Sequence, residues 1–191
     1  MNAMMTELTE LGHAYLLADD VSNEAQYKTV GEVLGRFFLA QATPIARALD
    51  VMYVPESEPY ATPEEMLEAF AQGAVMIAAT APGTTPLWGV DENNSFRLWH
   101  DYSHHFLLGL SFSLEPEYQA YLAAVVAFYE WASTHGYDAE TIATGAKILF
   151  NEMVLQPCAA VWLGGYDASR AGLTFSQKIT NITHLPSSVE L

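Results

Sequence analysis

The chain of 191 residues carries seven Lys plus Arg against 23 Asp plus Glu, a formal charge of −16, and 51% of its residues are apolar. That length and apolar share support a core and exclude a disordered acidic tail. So few cations cannot displace counterions from a polyphosphate, which argues against direct binding of DNA, RNA or anionic lipid and leaves a basic protein partner open.

In chain order, apolar periodicity predicts a first helix over 4–18, with Leu8, Leu11, Tyr15 and Leu16 on one side. Ser22 reads as the cap of a longer helix carrying Val30, Val33, Leu34, Phe37, Phe38, Ile45 and Leu49, which Pro44 should kink or split near Gln41. Residues 55–59 read as loop. Thr62-Pro63-Glu64-Glu65 is a helix start, with a Thr cap, Pro in the first position and a Glu completing a capping box; that helix is expected to reach about Ala79. Residues 80–94 form the longest turn-rich stretch and read as a loop able to cover a site, with Trp88 as a plug.

Ser95 is the expected N-cap of a histidine-bearing helix that Gly109 stops. At 100° per residue, Phe96, Trp99, Tyr102, Phe106, Leu107 and Leu110 fall on one side, and Arg97, His100, Asp101, His104 and His105 within an arc of about 140° on the other. Asp101 and His105 are four apart, as are His100 and His104, so each pair stacks on one face. Solvated faces are built from Lys, Glu, Gln and Arg, whereas three histidines beside a carboxylate point to a functional polar face. Three chemistries fit. His100-Asp101-x-x-His104 has the zincin spacing with Asp in place of Glu. The same spacing occurs in His-Asp phosphohydrolases, which need an earlier His, and only the distant His13 lies upstream. Asp101 and His105 could instead join carboxylates from other helices in a bundle metal site.

Glu115-Pro116-Glu117 opens the next helix, to about Thr134, which is apolar nearly all round and therefore expected to be central and buried. Glu130 on it is either a buried carboxylate or the exposed end of the helix. Asp138 caps a further helix with Ile142, Ile148, Leu149, Met153 and Val154. On it Glu152 is the best-placed carboxylate to face the histidines, and Pro157 should bend or stop it. Cys158, the single cysteine, reads as a small buried apolar position, so no internal disulfide forms. No basic leader precedes an apolar run, and Ala120 to Tyr129 is too short to span a bilayer, so a cytoplasmic location is expected.

Phe96-Arg97-x-x-His100-Asp101-Tyr102-x-x-His105, followed by Gly109, Phe112 and Glu117, resembles an element of phage- and plasmid-encoded proteins. That element occurs as a domain of large polyvalent proteins delivered with mobile DNA and in shorter stand-alone forms. A later E-x-x-x-Q in it is similar to Glu152-x-x-x-Gln156. The chain has His104 and Pro116 where the element has Gly. The family has no established activity, so the resemblance implies which residues matter and not a reaction. It favours His105 over His104 as the paired histidine.

The expected fold is all-α, a single-domain bundle of about six or seven helices with a central apolar helix, over 1–165, with 166–191 a tail docked on the same domain. The expected function is a metal-dependent hydrolase of phage or plasmid type. His100, Asp101 and His105 would be ligands or base, Glu117 or Glu152 would complete the shell, and Zn, Mn or Fe would be the divalent ion. Arg97 would orient a carboxylate or bind an anionic substrate, and His100 with Asp101 could act as an acid–base pair without metal. The alternative is a non-enzymatic acidic accessory protein that binds a host protein, the histidine cluster being a structural network. Expected partners are a small molecule or a host protein, with neither nucleic acid nor membrane, and a homodimer left open.

Overall fold

The structure, a computed structural model, describes residues 3–55, 59–81, 87–163 and 178–182. Seven α-helices are present among them: α1 Ala3–Leu17, α2 Ala25–Ala48, α3 Pro63–Gln72, α4 Val90–His100, α5 Leu114–Thr134, α6 Ala139–Phe150 and α7 Gln156–Trp162. Helix α4 runs on without a break into a π-helical stretch, Asp101–Leu107, and α6 passes through a second one, Asn151–Leu155, into α7. The expectation of a mainly α single-domain fold holds. No helix among the described residues is long and apolar enough to cross a membrane.

Where end signals are local, the helices start as the residues dictate. The Thr62 hydroxyl accepts from the Glu65 amide at 3.3 Å, and the Glu65 carboxylate accepts from the Ala61 amide at 2.9 Å. Asp138 accepts from the Thr141 amide at 2.8 Å. Each such cap satisfies an amide that the first turn leaves open, worth about 1 kcal/mol.

The structure differs from the reading above at four points. First, α3 stops at Gln72, because Gly73 turns left-handed (φ 80°) and sends Ala74–Ala78 into a strand, β2. Asp50–Val54, β1, pairs parallel with it, Val51 opposite Val75 and Tyr53 opposite Ile77. This pairing joins segments more than twenty residues apart, so it carries no local period. Second, α4 begins at Val90, and Ser95 lies buried inside it instead of capping it. Asn93 and Asn94 enter the helix because their side chains have partners elsewhere. Asn93 accepts from the Trp88 indole at 2.9 Å and donates to the Thr80 hydroxyl at 2.8 Å; Asn94 accepts from the Thr80 amide at 2.9 Å. Third, Pro44 lies inside an unbroken α2. The carbonyl it deprives of a partner belongs to Ala40, on an exposed position open to water. Ser22 is not the cap of α2 either; Glu24 precedes the first turn and Ser22 is buried.

The core is organised by α2. Leu34, Phe37 and Phe38 are fully buried. Phe37 meets Trp99 of α4 and Phe128 of α5 edge-on at 5.0 and 5.4 Å, and Phe38 meets Trp88 edge-on at 5.2 Å. Such pairs add about 0.5–1.5 kcal/mol each to the area they bury. Trp88 is thus a core plug. The apolar composition of α5 does not become all-round burial: Ala120, Ala124, Phe128 and Ala132 face inward, while Leu122, Val126, Tyr129 and Glu130 are exposed.

Pro157 falls in the first turn of α7 and does not end the helical path. The wider π turn before it relieves the clash a proline ring makes with the carbonyl four residues back. The expected tail lies largely outside the described residues. Residues 178–182 pack on the domain: Ile179 is fully buried, and the amide and hydroxyl of Thr180 both donate to the Asn151 side chain, at 2.8 and 2.9 Å.

Helices α1 and α7 touch backbone to backbone. A Cβ on Gly12 would lie 2.2 Å from the carbonyl oxygen of Cys158. Gly12→Ala is therefore expected to cost about 1–3 kcal/mol through overpacking, read as a lower urea midpoint at unchanged slope.

Candidate metal centre

The site begins with a change of helical pitch. Five residues advance an α-helix by about 500°, leaving positions 100 and 105 about 140° apart. In a π-helix the backbone bonds run from i to i+5, so residues five apart come close to the same face. The stretch Asp101–Leu107 has that pitch, and it brings His100 Nε2 and His105 Nε2 to 2.9 Å.

The third member comes from the next helix. Gly109, at φ 67°, turns the chain back, and α5 starts at Leu114. Glu117, in its first turns, is buried and sets its two carboxylate oxygens 3.4 Å from His100 Nε2 and 3.4 Å from His105 Nε2. Among the described residues, His100, His105 and Glu117 form the group of His, Cys and acidic side chains with metal-ligand spacing. Donor atoms on one tetrahedral zinc, each at about 2.1 Å, stand about 3.4 Å apart; both Glu117 contacts match that separation, and the imidazole pair is closer, at 2.9 Å.

The orientation of His105 is held from behind. Its Nδ1 lies 2.9 Å from the Leu110 carbonyl, which can only accept, so Nδ1 carries the proton and Nε2 turns a lone pair toward His100 and Glu117. A backbone carbonyl on the far nitrogen is the usual support of a metal-ligating imidazole. His104 is different. Its Nδ1 donates to the backbone carbonyl of His100 at 3.1 Å, and its ring sits edge-on to Trp99 at 4.9 Å. It belongs to the core side of the helix. The zincin-type pair His100–His104 therefore does not form, and neither does an Asp101–His105 pair within the ligand group.

The electrostatics follow from burial and from the one carboxylate. Burial and the neighbouring His100 lower the pKa of His105 to about 4 and that of His104 to about 3, so both are neutral at pH 7. Burial also opposes a charge on His100, but the hydrogen bond and the charge of Glu117, reinforced by Asp101, outweigh it and raise its pKa above the ordinary value. His100 Nδ1 is buried without a hydrogen-bond partner among the described residues. Asp101 lies outside the three-residue group yet within its field. Burial lifts its pKa to about 6, with Glu117 adding to the effect and His100 and Arg97 opposing it. Arg97 donates from Nη1 to the carbonyl of Ala78, the last residue of β2, at 3.1 Å. Burial lowers its pKa, while Asp101 and Glu152 hold it up. Glu152 is buried in the second π-helical stretch and bears electrostatically on Arg97 and Tyr15. The structure thus gathers His100, His105 and Glu117 at one point and leaves Asp101, Arg97 and Glu152 around it.

The fold and the site define a mainly α, single-domain protein with a buried His/Glu cluster that could hold a metal ion. Comparison with known protein families, with curated proteins and with solved structures yields no match.

The neutral, buried His104 has a consequence for stability. In the unfolded chain its pKa is the ordinary 6.5, so the unfolded state takes up a proton that the folded site refuses. Its contribution is complete above pH 6.5 and is lost as pH falls from there toward the folded value, at about 1.4 kcal/mol per pH unit. Asp101 acts in the opposite sense between its ordinary value and about 6, but in any His104 variant equally. His104→Phe, which keeps a ring against Trp99, should lose about 1–2 kcal/mol less than the parent between pH 7 and pH 5. Urea denaturation at the two pH values measures the difference.

Proposed function

We propose that the protein is a metal-dependent hydrolase of phage or plasmid type, with its ion held by His100, His105 and Glu117. The observation that carries the reading is the meeting of two imidazole nitrogens 2.9 Å apart with a buried carboxylate 3.4 Å from each. Two histidines and a glutamate are a donor set of hydrolytic zinc sites, and the same imidazole and carboxylate donors accept Mn or Fe. Support for the phage or plasmid type comes from the resemblance: His100, His105, Phe112 and Glu117 belong to its motif and lie in or against this cluster, and Gly109, also in the motif, makes the left-handed turn between His105 and Glu117.

A divalent ion supplies Lewis acidity and an activated water near neutral pH. The chain's own residues do the rest. Asp101, with a pKa lifted to about 6, can take and return a proton near neutrality. Arg97, tied to the Ala78 carbonyl, sets the position of Asp101 and Glu152 by its charge and is a positioning residue. Leu110 keeps His105 in the ligating tautomer.

A second reading has one observation in its favour. Without an ion, the same contacts are an imidazole–imidazole hydrogen bond and two imidazole–carboxylate contacts that tie α4 to α5. On that reading the protein is an acidic, non-enzymatic accessory that binds a host protein, and the cluster specifies packing.

Titration of metal-free protein with Zn, Mn and Fe separates the two. The hydrolase reading expects about one ion per chain, and affinity at least about 100-fold weaker in His100→Ala, His105→Ala and Glu117→Gln, because each removes one of few bonds. Binding should weaken from pH 7.5 to 5.5 as protons compete for His100, whose pKa Glu117 raises. Chromogenic phosphate mono- and diesters and carboxylic esters should show metal-dependent turnover in the parent that Asp101→Asn loses while keeping its metal. No ion in the parent, with His100→Ala merely less stable, contradicts the hydrolase reading and favours the accessory.

A further inference from the structure

The aromatic side chain stacked on His105 from the segment before α5 is Phe112. It lies in the short segment between Gly109 and α5, which folds back over the end of the histidine helix. The Leu110 amide donates to the His104 carbonyl at 3.1 Å, and the Leu110 carbonyl accepts a hydrogen bond from His105 Nδ1. Two residues later the Phe112 ring stacks on the His105 imidazole, centroids 3.9 Å apart and planes within 18°. The His105 side chain is 0% exposed, whereas Phe112 is 40% exposed.

Imidazoles stack on aromatic rings elsewhere, His13 on Trp162 and His135 on Trp131, but both of those imidazoles are exposed, whereas the one under Phe112 is buried. Phe37, Phe38, Trp99 and Phe128 pack on one another inside the main hydrophobic cluster. Phe112 belongs to neither cluster of the described residues, and its ring contact is with His105. An aromatic ring left two-fifths in water gains little from burial, so its place is explained by what it covers. Parallel stacking restricts rotation of the imidazole about its side-chain bonds, and the ring's bulk keeps water from that face.

We infer that Phe112 is the cover of the metal centre, a positioning residue that holds the His105 ring in its ligating plane and slows loss of a bound ion to solvent. The inference rests on the metal-site reading above. It implies that Phe112 matters little to the fold and much to the ion's lifetime.

The test is a chelator chase of the full chain loaded with Zn. Phe112→Ala should release the ion at least about tenfold faster than the parent, in the range that lost support of a ligand produces, while the midpoint of urea denaturation of the ion-free protein stays nearly unchanged. Phe112→Tyr, which keeps the flat ring, should restore slow release; Phe112→Leu, apolar but not flat, should restore it only in part. Release within twofold of the parent in both Ala and Leu variants overturns the inference with the metal site intact. A parent that retains no Zn overturns the metal-site reading and this inference together.

Discussion

Everything at the centre depends on the helical pitch between Asp101 and Leu107. An α-helix through these residues would put His105 on a different side from His100. The π pitch instead superposes them, and it hands His104 to the core, where Trp99 receives it. The price is a helix with poorer backbone geometry, of a kind found mostly as short interruptions at functional sites. It is tolerated here because both ends are secured. Upstream, Leu98 and Trp99 are buried against α2. Downstream, Gly109 takes a left-handed turn, and the Leu110 amide reaches back to the His104 carbonyl.

The scaffold places the third ligand and the surrounding charges by separate routes. Helix α5 is docked through the buried stripe Ala120, Ala124 and Phe128, and its N-terminal end carries Glu117 to the histidines. The two-stranded sheet has a less obvious part. Its last residue, Ala78, fixes Arg97, and Thr80 just beyond it binds Asn93 and Asn94. The start of α4 is thereby anchored to β2, and with it the azimuth at which the histidines emerge.

Much of this was legible in the residues. Thr62 and Asp138 act as caps because capping is decided within four residues. Leu8, Leu11 and Tyr15 face the core as their spacing requires. Gly109 stops the histidine helix. The strands were not legible, since Ala74–Ala78 is a short apolar run that could extend a helix and its partner lies across α3. Ser95 lost its capping role because Asn93 and Asn94, ordinary turn residues, find partners in Thr80 and Trp88 that only tertiary structure supplies. The His100–His105 pair was hidden by the assumption of a 3.6-residue period, under which His100–His104 is the natural pair. The one sequence feature that pointed to it was the five-residue spacing in His-Asp-Tyr-x-x-His. Of the acidic candidates, Glu117 converges on the histidines, while Glu152, in the second π stretch, sits with Arg97. Nothing in the local pattern of either residue distinguishes them.

The π-paired histidines are the claim on which the functional reading stands, and counting the imidazoles around a bound ion tests it most directly. X-ray absorption at the zinc edge of the Zn-loaded protein should show two imidazoles and oxygen ligands, falling to one imidazole in His105→Gln and remaining at two in His104→Gln. Loss of an imidazole in His104→Gln with none lost in His105→Gln would mean that the helix carries the ion on an α-helical pair and would contradict the account.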